Sequence, residues 1–223
     1  MNCLRFYILC CVCLLLFPEF AQAASAAKRV EKAYAVIQGM RAEFSQTLFH
    51  KESGAKEERK GVLYFKKPLL VRWENTSPLP ELLLVGKDAI WNVFPEDEMA
   101  HKYALSMAED SRSLVRVITG QAQLAQDFDL EEEGTDKGFL TLRLYPKEAV
   151  QSMVEALLWI DKQSGLIKKL RVYDFYGNEN EIVFTRQELD PPMKDALFTY
   201  TPPKEYIVED RSKDAAPQKP LLQ

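Results

Sequence analysis

The segment GVLYFKKPLLVRWE, residues Gly61–Glu74, contains two apolar runs on either side of a basic proline turn. Successive side chains of a strand alternate between faces, so Leu63 and Phe65 share one face of the first run. The second run also places apolar side chains on a single face: Leu69, Val71 and Trp73. Its opposite face carries two charges. The pattern predicts a pair of β-strands with one apolar face and one polar face.

The start of the chain has the organisation of a secretory signal peptide. Between Met1 and Ala23, Arg5 precedes an apolar run from Phe6 to Phe17, and Ala21-Gln22-Ala23 supplies a cleavage signal. The run is shorter than the roughly 20 residues that a membrane-spanning helix needs. All four cysteines of the chain lie in this segment, so the mature chain would have no thiol for a disulfide, a metal site or a nucleophile. We therefore expect an exported protein of the bacterial periplasm.

Residues 24–212 are sufficient for a single domain with one core, and the polar residues 213–223 are predicted to form a disordered tail. The formal charge of the whole chain is -4. Cleavage of the signal peptide would remove one base, Arg5, and one acid, Glu19, so the mature chain would also have a formal charge of -4. A mildly acidic chain argues against nucleic acid as a partner. The basic residues between Lys56 and Lys60 alternate with acidic ones, and we interpret this segment as a solvated hairpin loop.

Hydrophobic spacing predicts one helix followed by a meander of strands. Residues Ala24 to Gln38 place Val30, Tyr34 and Ile37 at helical spacing, and Gly39 provides a stop. Alternating runs between glycine and proline turns bring the count to about ten or eleven antiparallel strands. Beyond Gly61–Glu74 the predicted strands are 40–48, 81–85, 89–94, 99–104, 128–133, 139–145, 154–161, 166–175 and 181–188. The segment 150–158 fits both a helix and a strand, and we expect a helical turn that leads into a strand.

Helical spacing returns between Leu105 and Asp127, where short helices are predicted to interrupt the strands. In this insertion Leu114, Val115 and Ile118 form one apolar patch, and Gly120 follows it. A short helix of this kind is suited to a lid that hinges at the glycine. The fold class is therefore α+β and mostly β. An antiparallel sheet of this length tends to curl or close, so we expect a strongly curved sheet with helices against its concave face.

Several short motifs occur in a defined order along nearly the whole mature chain. They are Phe44-Ser45-Gln46, Gly61 with Leu63 and Phe65, Lys67-Pro68, Arg72-Trp73, Gly86 with Trp91, Ile160-Asp161, Asp174-Phe175-Tyr176-Gly177-Asn178, and Phe198 with Pro202-Pro203. In this order and spacing the chain resembles the LolA-type periplasmic carriers of outer-membrane lipoproteins. The resemblance implies an unclosed β-barrel with a helical lid, which binds lipoprotein acyl chains in a hydrophobic cavity and transfers lipoproteins from the inner to the outer membrane.

The resemblance also implies a set of partners. These are acylated lipoproteins, an inner-membrane lipoprotein-releasing ABC transporter and, where one exists, an outer-membrane receptor. It implies a monomer that uses no cofactor. The family commonly has arginine before Pro68, in contact with backbone groups of the lid. Here that position is Lys67, which offers a point charge and not a planar fork of donors.

Strand alternation and helical spacing select the candidate lining of the acyl cavity. It consists of Val30, Tyr34, Ile37, Leu63, Phe65, Leu69, Val71, Trp73, Leu83, Trp91 and Val93. The same residue types would form an ordinary core, so a packing role is the alternative for each of them. The predicted lid residues are Leu114, Val115 and Ile118, and Lys67 is the predicted coupling residue.

The mature chain has two histidines, His50 and His101, and none of the H-E-x-x-H, G-x-S-x-G or P-loop spacings. The three acidic neighbours Glu131-Glu132-Glu133 cannot all face one point from a strand. We therefore expect a binding protein with no catalytic residue and no metal site. The alternatives to a lipoprotein carrier are a binder of a free lipid, glycolipid or other hydrophobic ligand in the same fold, and an envelope-stress sensor domain.

Overall fold

The computed structural model describes residues 18–109, 114–148 and 151–213. Most of the predicted signal peptide and of the predicted tail therefore lies outside the described residues. In chain order the elements are α1 (Pro18–Val36), β1 (Gly39–Phe49), β2 (Lys56–Lys66), β3 (Leu70–Ser77), β4 (Glu81–Val85), β5 (Ile90–Phe94), a 3-10 turn (Pro95–Asp97), β6 (Met99–Tyr103), α2 (Ser106–Glu109), α3 (Leu114–Ile118), α4 (Leu124–Asp127), β7 (Phe128–Asp136), β8 (Phe139–Pro146), β9 (Glu155–Ile160), β10 (Ile167–Tyr173), β11 (Glu179–Leu189), a second 3-10 turn (Asp195–Phe198) and β12 (Ile207–Asp210).

The strands of the described ranges form one curved, unclosed sheet of twelve, in the order β12-β6-β5-β4-β3-β2-β1-β11-β10-β9-β8-β7. All neighbouring pairs are antiparallel except β12 and β6, which are parallel. The expected curved, mostly β fold is confirmed. The expectation of a wholly antiparallel sheet is wrong, because β12 reaches the edge only after the chain has crossed the outside of the sheet. Its sequence, Ile207–Asp210, lacks the alternation that would have predicted a strand.

Helix α1 begins at Pro18, before the predicted start at Ala24, and it overlaps the last predicted signal-peptide residues. Proline suits a first helical turn because its missing N–H would have no partner there. The helix ends at Val36, and Gly39 is already the first residue of β1. The Asp190 carboxylate accepts hydrogen bonds from the Gln38 and Gly39 amides at 2.7 and 2.8 Å, which fixes the turn from helix to strand.

The two faces of the sheet have different neighbours. We call the face that packs against the helices the inner face, and the opposite one the outer face. The main core lies on the inner face and joins residues of β1 to β11 with buried residues of α1, α2, α3 and α4. A second, smaller cluster contains Leu82, Leu84, Val93 and Ala100, whose register places them on the outer face of β4, β5 and β6.

The C-terminal segment between β11 and β12 covers this outer cluster. Tyr200 and Tyr206 pack against it, and the Tyr200 and Trp91 rings meet edge to face with centroids 5.4 Å apart. Leu197 is held by its carbonyl oxygen, which accepts a hydrogen bond from Arg72 Nη1 at 3.2 Å. The segment therefore acts as a strap across the outer face.

An ion-pair bridge adds to this attachment. The Asp195 carboxylate lies 2.7 Å from Lys66 Nζ and 3.0 Å from Lys87 Nζ. Hydrogen bonds from these two lysines lower the pKa of Asp195 to about 2. All three side chains are largely exposed, so the bridge positions the strap more than it stabilises the fold.

One local expectation was wrong, and another is confirmed for its strand. Residues Lys56 to Lys60 are not a hairpin loop but the first half of β2, paired with β1 along its whole length. The turn comes earlier, where His50 and Gly54 close it through a hydrogen bond of 2.8 Å. Residue 150 of the predicted helical turn lies outside the described residues, and residues 151–152 form a turn; β9 begins at Glu155, so the predicted strand there is confirmed.

Candidate functional site

The inner face of β2, β3 and β4 brings together five predicted lining residues. Leu63 lies opposite Trp73, which lies opposite Leu83, and Phe65 lies opposite Val71. Directly paired residues of antiparallel strands point to the same face, so these side chains form one apolar row across three strands. All five are buried in the main core.

Trp73 also contacts a residue that the sequence analysis did not select. Its ring lies against Phe44 of β1, with centroids 4.0 Å apart and planes inclined at 35°. Gly61 makes this contact possible, because a Cβ there would lie 2.7 Å from Phe44 Cζ and 1.9 Å from the Glu74 carbonyl oxygen. Strand alternation along β1 places Phe44 with the buried Ala42, and this signal could have identified it.

The predicted residues of α1 lie where the sequence placed them, against the inner face. Val30, Tyr34 and Ile37 are all buried in the main core. The Tyr34 hydroxyl accepts a hydrogen bond from the Ile167 amide at 3.4 Å. Burial raises the pKa of the Tyr34 phenol above its ordinary value, so this hydroxyl stays neutral. The helix is therefore attached to β10 and shares one core with the apolar row. Leu69 precedes β3 and is only partly buried against the main core.

Trp91 and Val93 lie on the other face, and their predicted place with Leu83 is wrong. Trp91 is paired with Leu84 and Val93 with Leu82, so both point outward into the second cluster. The alternation of side chains within β5 was predicted correctly, but the turn between β4 and β5 determines which alternate side chains face inward. That register cannot be read from the strand itself.

Short helices cover the inner face beside α1. Val115 and Ile118 of α3 are fully buried in the main core, and Leu114 is partly buried against it. Gly120 follows α3 with a φ of +67°, and a Cβ at this position would lie 2.1 Å from Tyr34 Cγ. The turn after α3 therefore rests directly on the ring of Tyr34. The residues 110–113 that precede α3 lie outside the described ranges.

Lys67 contacts α1 and not the predicted lid helix. Its ammonium group donates to the carbonyl oxygens of Tyr34 at 2.6 Å and of Ala35 at 3.3 Å. These carbonyls belong to the last turn of α1, where a cation is favourable because backbone carbonyls there lack helical partners. The expectation of direct bonds to α3 is wrong. Lys67 instead holds the helix on which Gly120 rests.

The inner face also carries a row of polar residues that the sequence analysis missed. We call it the polar row: Gln46 on β1, Glu57 and Arg59 on β2, Asn75 on β3 and Glu81 on β4. Gln46 is paired with Arg59, and Asn75 with Glu81, so the row continues the apolar surface toward the turn between β1 and β2. Counting back in steps of two from Leu63 would have reached Arg59 and Glu57.

Direct hydrogen bonds connect most of the polar row. Arg59 donates from Nε to Glu57 at 2.6 Å and from Nη1 to Glu81 Oε2 at 3.1 Å. Asn75 donates to the same Glu81 oxygen at 3.0 Å and accepts from Trp73 Nε1 at 3.2 Å. The network is therefore attached to the apolar row through Trp73.

The described parts of the chain contain no group of three or more His, Cys, Asp and Glu side chains that could hold a metal ion. The candidate His101 lies on β6 beside Glu209 of β12, with its ring nitrogen 3.5 Å from the carboxylate. Burial lowers the pKa of His101. Among the helices that the structure describes, none combines the length and the apolar character needed to cross a membrane.

Comparison with known proteins gives a consistent result at the level of sequence. The family model described as outer membrane lipoprotein carrier protein LolA matches residues 35–201. The outer-membrane lipoprotein carrier protein of Dechloromonas aromatica is 25% identical over 196 residues, which cover 88% of this chain and 92% of that protein. The carrier protein of the same name from Chromobacterium violaceum is 26% identical over 200 residues, covering 85% and 95%.

Solved structures show the same fold at low sequence identity. An uncharacterized conserved protein from Thermus thermophilus has a TM-score of 0.55 at 17% identity, with 85% of this chain and 99% of that one covered. The lipoprotein LppX from Mycobacterium tuberculosis has a TM-score of 0.50 at 12% identity, with 78% and 98% covered.

Proposed function

This chain belongs to the LolA family of outer membrane lipoprotein carrier proteins, and from that premise we propose that it carries lipoproteins from the inner to the outer membrane. In this proposal the acyl chains lie against the apolar row on the inner face of the sheet. The observation that supports this proposal is the kind of element that shares a core with that row. The row belongs to one core with buried residues of α1 and of helices of only a few residues.

The energetics explain why such a carrier is needed. Each buried methylene contributes about 0.8 kcal/mol, so one chain of about 15 methylenes represents roughly 12 kcal/mol. A multiply acylated protein therefore cannot cross water at a useful rate unless its chains remain covered. A carrier must also release its lipoprotein. Displaceable helices would allow both binding and release, because they move aside for the acyl chains and close over the sheet when the chains leave.

Loading requires the helices to move. Tyr34, Val115 and Ile118 are fully buried among the residues that would contact an acyl chain, so helix and ligand compete for the same surface. Helix α3 has 5 residues, and a helix of this length is not stable in water without its packing partner. Binding would therefore exchange helix contacts for acyl contacts. Lys67 would contribute to the free energy needed for this exchange, because it holds α1 against the sheet.

The partners and location follow from this function. We propose a periplasmic protein, exported by the signal peptide at residues 1–23, that acts as a monomer. It would receive acylated lipoproteins from an inner-membrane lipoprotein-releasing ABC transporter and deliver them to an outer-membrane receptor where one exists. Neither nucleic acid nor a cofactor has a part in this scheme. The protein would act as a binding protein and not as an enzyme, because the contacts of the proposed site are made by apolar side chains.

Two measurements test the proposal. Native mass spectrometry of the protein isolated from its own periplasm should show a co-purifying lipoprotein. A naphthalene sulfonate dye should bind saturably to the folded protein, and a purified acylated lipoprotein should displace it. A co-purifying free lipid or glycolipid would favour the binder of small ligands instead. Absence of saturable dye binding would contradict every function that uses the inner face for apolar ligands.

A further inference from the structure

The turn between β10 and β11 exposes two adjacent aromatic residues. We call residues 174–178 the aromatic turn; they form one of the motifs quoted from the sequence, and the proposed function does not use them. Phe175 is 68% exposed and Tyr176 is 70% exposed. Their rings meet edge to face with centroids 5.6 Å apart. The two rings therefore form one exposed aromatic surface at the tip of a hairpin.

Hydrogen bonds hold the backbone of the aromatic turn in one shape. Asp174 Oδ1 accepts from the Tyr176 amide at 2.8 Å and from the Asn178 amide at 2.9 Å. The Gly177 amide donates to the Asp174 carbonyl oxygen at 3.0 Å. Gly177 has a φ of +77°, a conformation that favours glycine. A contact made through the two rings would therefore cost little ordering of the backbone.

Two neighbouring segments support the aromatic turn from either side. The Phe175 amide donates to the carbonyl oxygen of Gln151 at 3.0 Å. The Lys51 amide, in the turn between β1 and β2, donates to Asn178 Oδ1 at 3.1 Å. A Cβ on Gly177 would lie 2.8 Å from Lys51 Cδ and 3.4 Å from its Nζ, so the lysine side chain lies against the turn. An ammonium group is therefore present at the same tip as the rings.

The geometry of the turn explains three of its residues but not the two aromatic ones. Asp174 supplies the accepting carboxylate, Gly177 the positive φ and Asn178 a side-chain amide. Phe175 and Tyr176 contribute backbone amides to these hydrogen bonds, and most residue types could do the same. Among the described residues, the two core clusters include neither ring. Single exposed apolar residues are common, but an adjacent pair on a fixed turn indicates a contact surface.

We propose that the aromatic turn is a contact site for the interfacial region of a lipid bilayer. Aromatic side chains are favoured at the boundary between head groups and acyl chains. Phe175 would insert at this boundary, while the Tyr176 hydroxyl and the Lys51 ammonium group would remain among the head groups. Fluid lipids can close around rings that stand at a hairpin tip, whereas a folded partner would need a matching pocket. The contact goes beyond the proposed function, because it requires no acyl chain on the inner face. With two rings it would be weak and reversible.

A fluorescent label beside the tip tests this contact. All four cysteines of the chain lie in the predicted signal peptide, so Glu52→Cys gives the mature protein a single thiol next to Lys51. A nitrobenzoxadiazole dye on this thiol should brighten and shift to shorter wavelength when vesicles of phosphatidylethanolamine and phosphatidylglycerol are added. The same dye on Lys162→Cys should not respond, because residue 162 lies in the turn before β10, at the opposite end of that strand from the aromatic turn.

Substitution of the rings tests their part in the contact. Phe175→Ser with Tyr176→Ser keeps the backbone bonds of the turn and should weaken sedimentation with the same vesicles by at least about tenfold, since partial burial of two aromatic rings is worth such a factor. Val36→Ser with Ile207→Ser is the matched control, because these residues are 75% and 62% exposed but lie at the end of α1 and on β12. It should leave vesicle binding unchanged. Phe175→Trp with Tyr176→Trp should bind at least as tightly as the wild type.

The outcomes separate this inference from the carrier function. An absent response of the Glu52 label, or vesicle binding that survives loss of both rings, would overturn the lipid contact. Equal loss in the control variant would overturn it as well. A benzophenone on the same thiol that captures a protein and no lipid in intact cells would overturn it in favour of a protein partner. A response at residue 52 alone that is lost with the two rings supports the contact. The carrier function keeps its own test, because dye binding and lipoprotein competition at the inner face do not involve the aromatic turn.

Discussion

Replacement of Lys67 by methionine should loosen α1 from the sheet without unfolding the protein. Methionine keeps most of the aliphatic length of lysine but cannot donate to the carbonyl oxygens of Tyr34 and Ala35, which now lie 2.6 and 3.3 Å from the ammonium group. The sheet itself would keep all of its strand pairing. The perturbation therefore acts on the attachment of the helix alone.

The size of the effect follows from those two contacts. A hydrogen bond from a charged donor contributes about 1.5 to 3 kcal/mol, and the longer contact adds little. Lys67 is partly exposed, so we take about 2 kcal/mol. Such a loss multiplies the population of the state with α1 displaced by about 30, since each 1.4 kcal/mol is roughly a factor of ten.

Two assays report this population. Amide hydrogen exchange in the last turn of α1 and in α3 should accelerate by about 30-fold, because exchange there requires local opening. A fluorescent acyl probe should bind more tightly by up to the same factor, since its apparent affinity scales with the fraction of protein in the binding-competent state. Both changes are expected without a matching loss in the exchange protection of β1 and β2.

The neighbouring residue provides the control. Lys66 is on the other face and bonds to Asp195 of the strap at 2.7 Å, so Lys66→Met removes a lysine without touching α1. It should change neither assay by more than about twofold, which is the scale expected for an exposed ion pair. If Lys67→Met leaves exchange and probe affinity at wild-type values, or if Lys66→Met has the same effect, α1 is not held by Lys67 and the proposed loading step loses its support.

Three further outcomes are expected. Gly120→Ala should displace α3 and accelerate amide exchange in residues 114–118, because Gly120 has a φ of +67° and an added Cβ would lie 2.1 Å from Tyr34 Cγ. The control Gly134→Ala should leave α3 protected, because Gly134 also has a positive φ, +94°, but an added Cβ there meets nothing within 4 Å. Ile118→Ala should raise acyl-probe binding while losing about 2 to 4 kcal/mol of stability by chemical denaturation, and unchanged binding would indicate fixed packing. Asp195→Asn should reduce the exchange protection of the strap at neutral pH but not below about pH 2. The lowered pKa of the carboxyl makes its contribution to stability complete above about pH 3.8, and this contribution is lost as the pH falls toward 2. A difference between variant and wild type that persists in acid would contradict the assignment to the Lys66 and Lys87 contacts.

The sheet could be predicted to a large extent because its signals are local. Alternation in β2 and β3 gave the correct inner face for Leu63, Phe65, Val71 and Trp73. Turn residues gave most strand limits within a few positions. The same kind of signal failed for Trp91, because strands on two sides of a tight turn are related by a register that their own alternation does not contain.

The remaining differences come from contacts between distant parts of the chain. The strap covers Leu82 and Leu84 with Tyr200 and Tyr206, which lie more than a hundred positions later in the sequence. Lys67 was expected at the lid because of the family resemblance, yet it reaches the end of α1, a contact that depends on where the helix crosses the sheet. Such placements are set by packing, and no pattern within either segment specifies them.

The contrast between an extensively paired sheet and a few short helices packed against it is the feature of the fold that matters most for the proposed function. Strand β1 is paired on both sides, from Gly39 to Phe49 with β2 and from Met40 to Phe49 with β11, so the centre of the sheet cannot open without loss of many backbone hydrogen bonds. Helices α2, α3 and α4 keep their backbone bonds within short segments and depend on side-chain burial to stay in place. Under the proposed function, an acyl chain would offer the sheet the same kind of apolar contact that Val115 and Ile118 provide, and it would therefore replace them at small net cost. This near balance is what a carrier that must both load and unload requires.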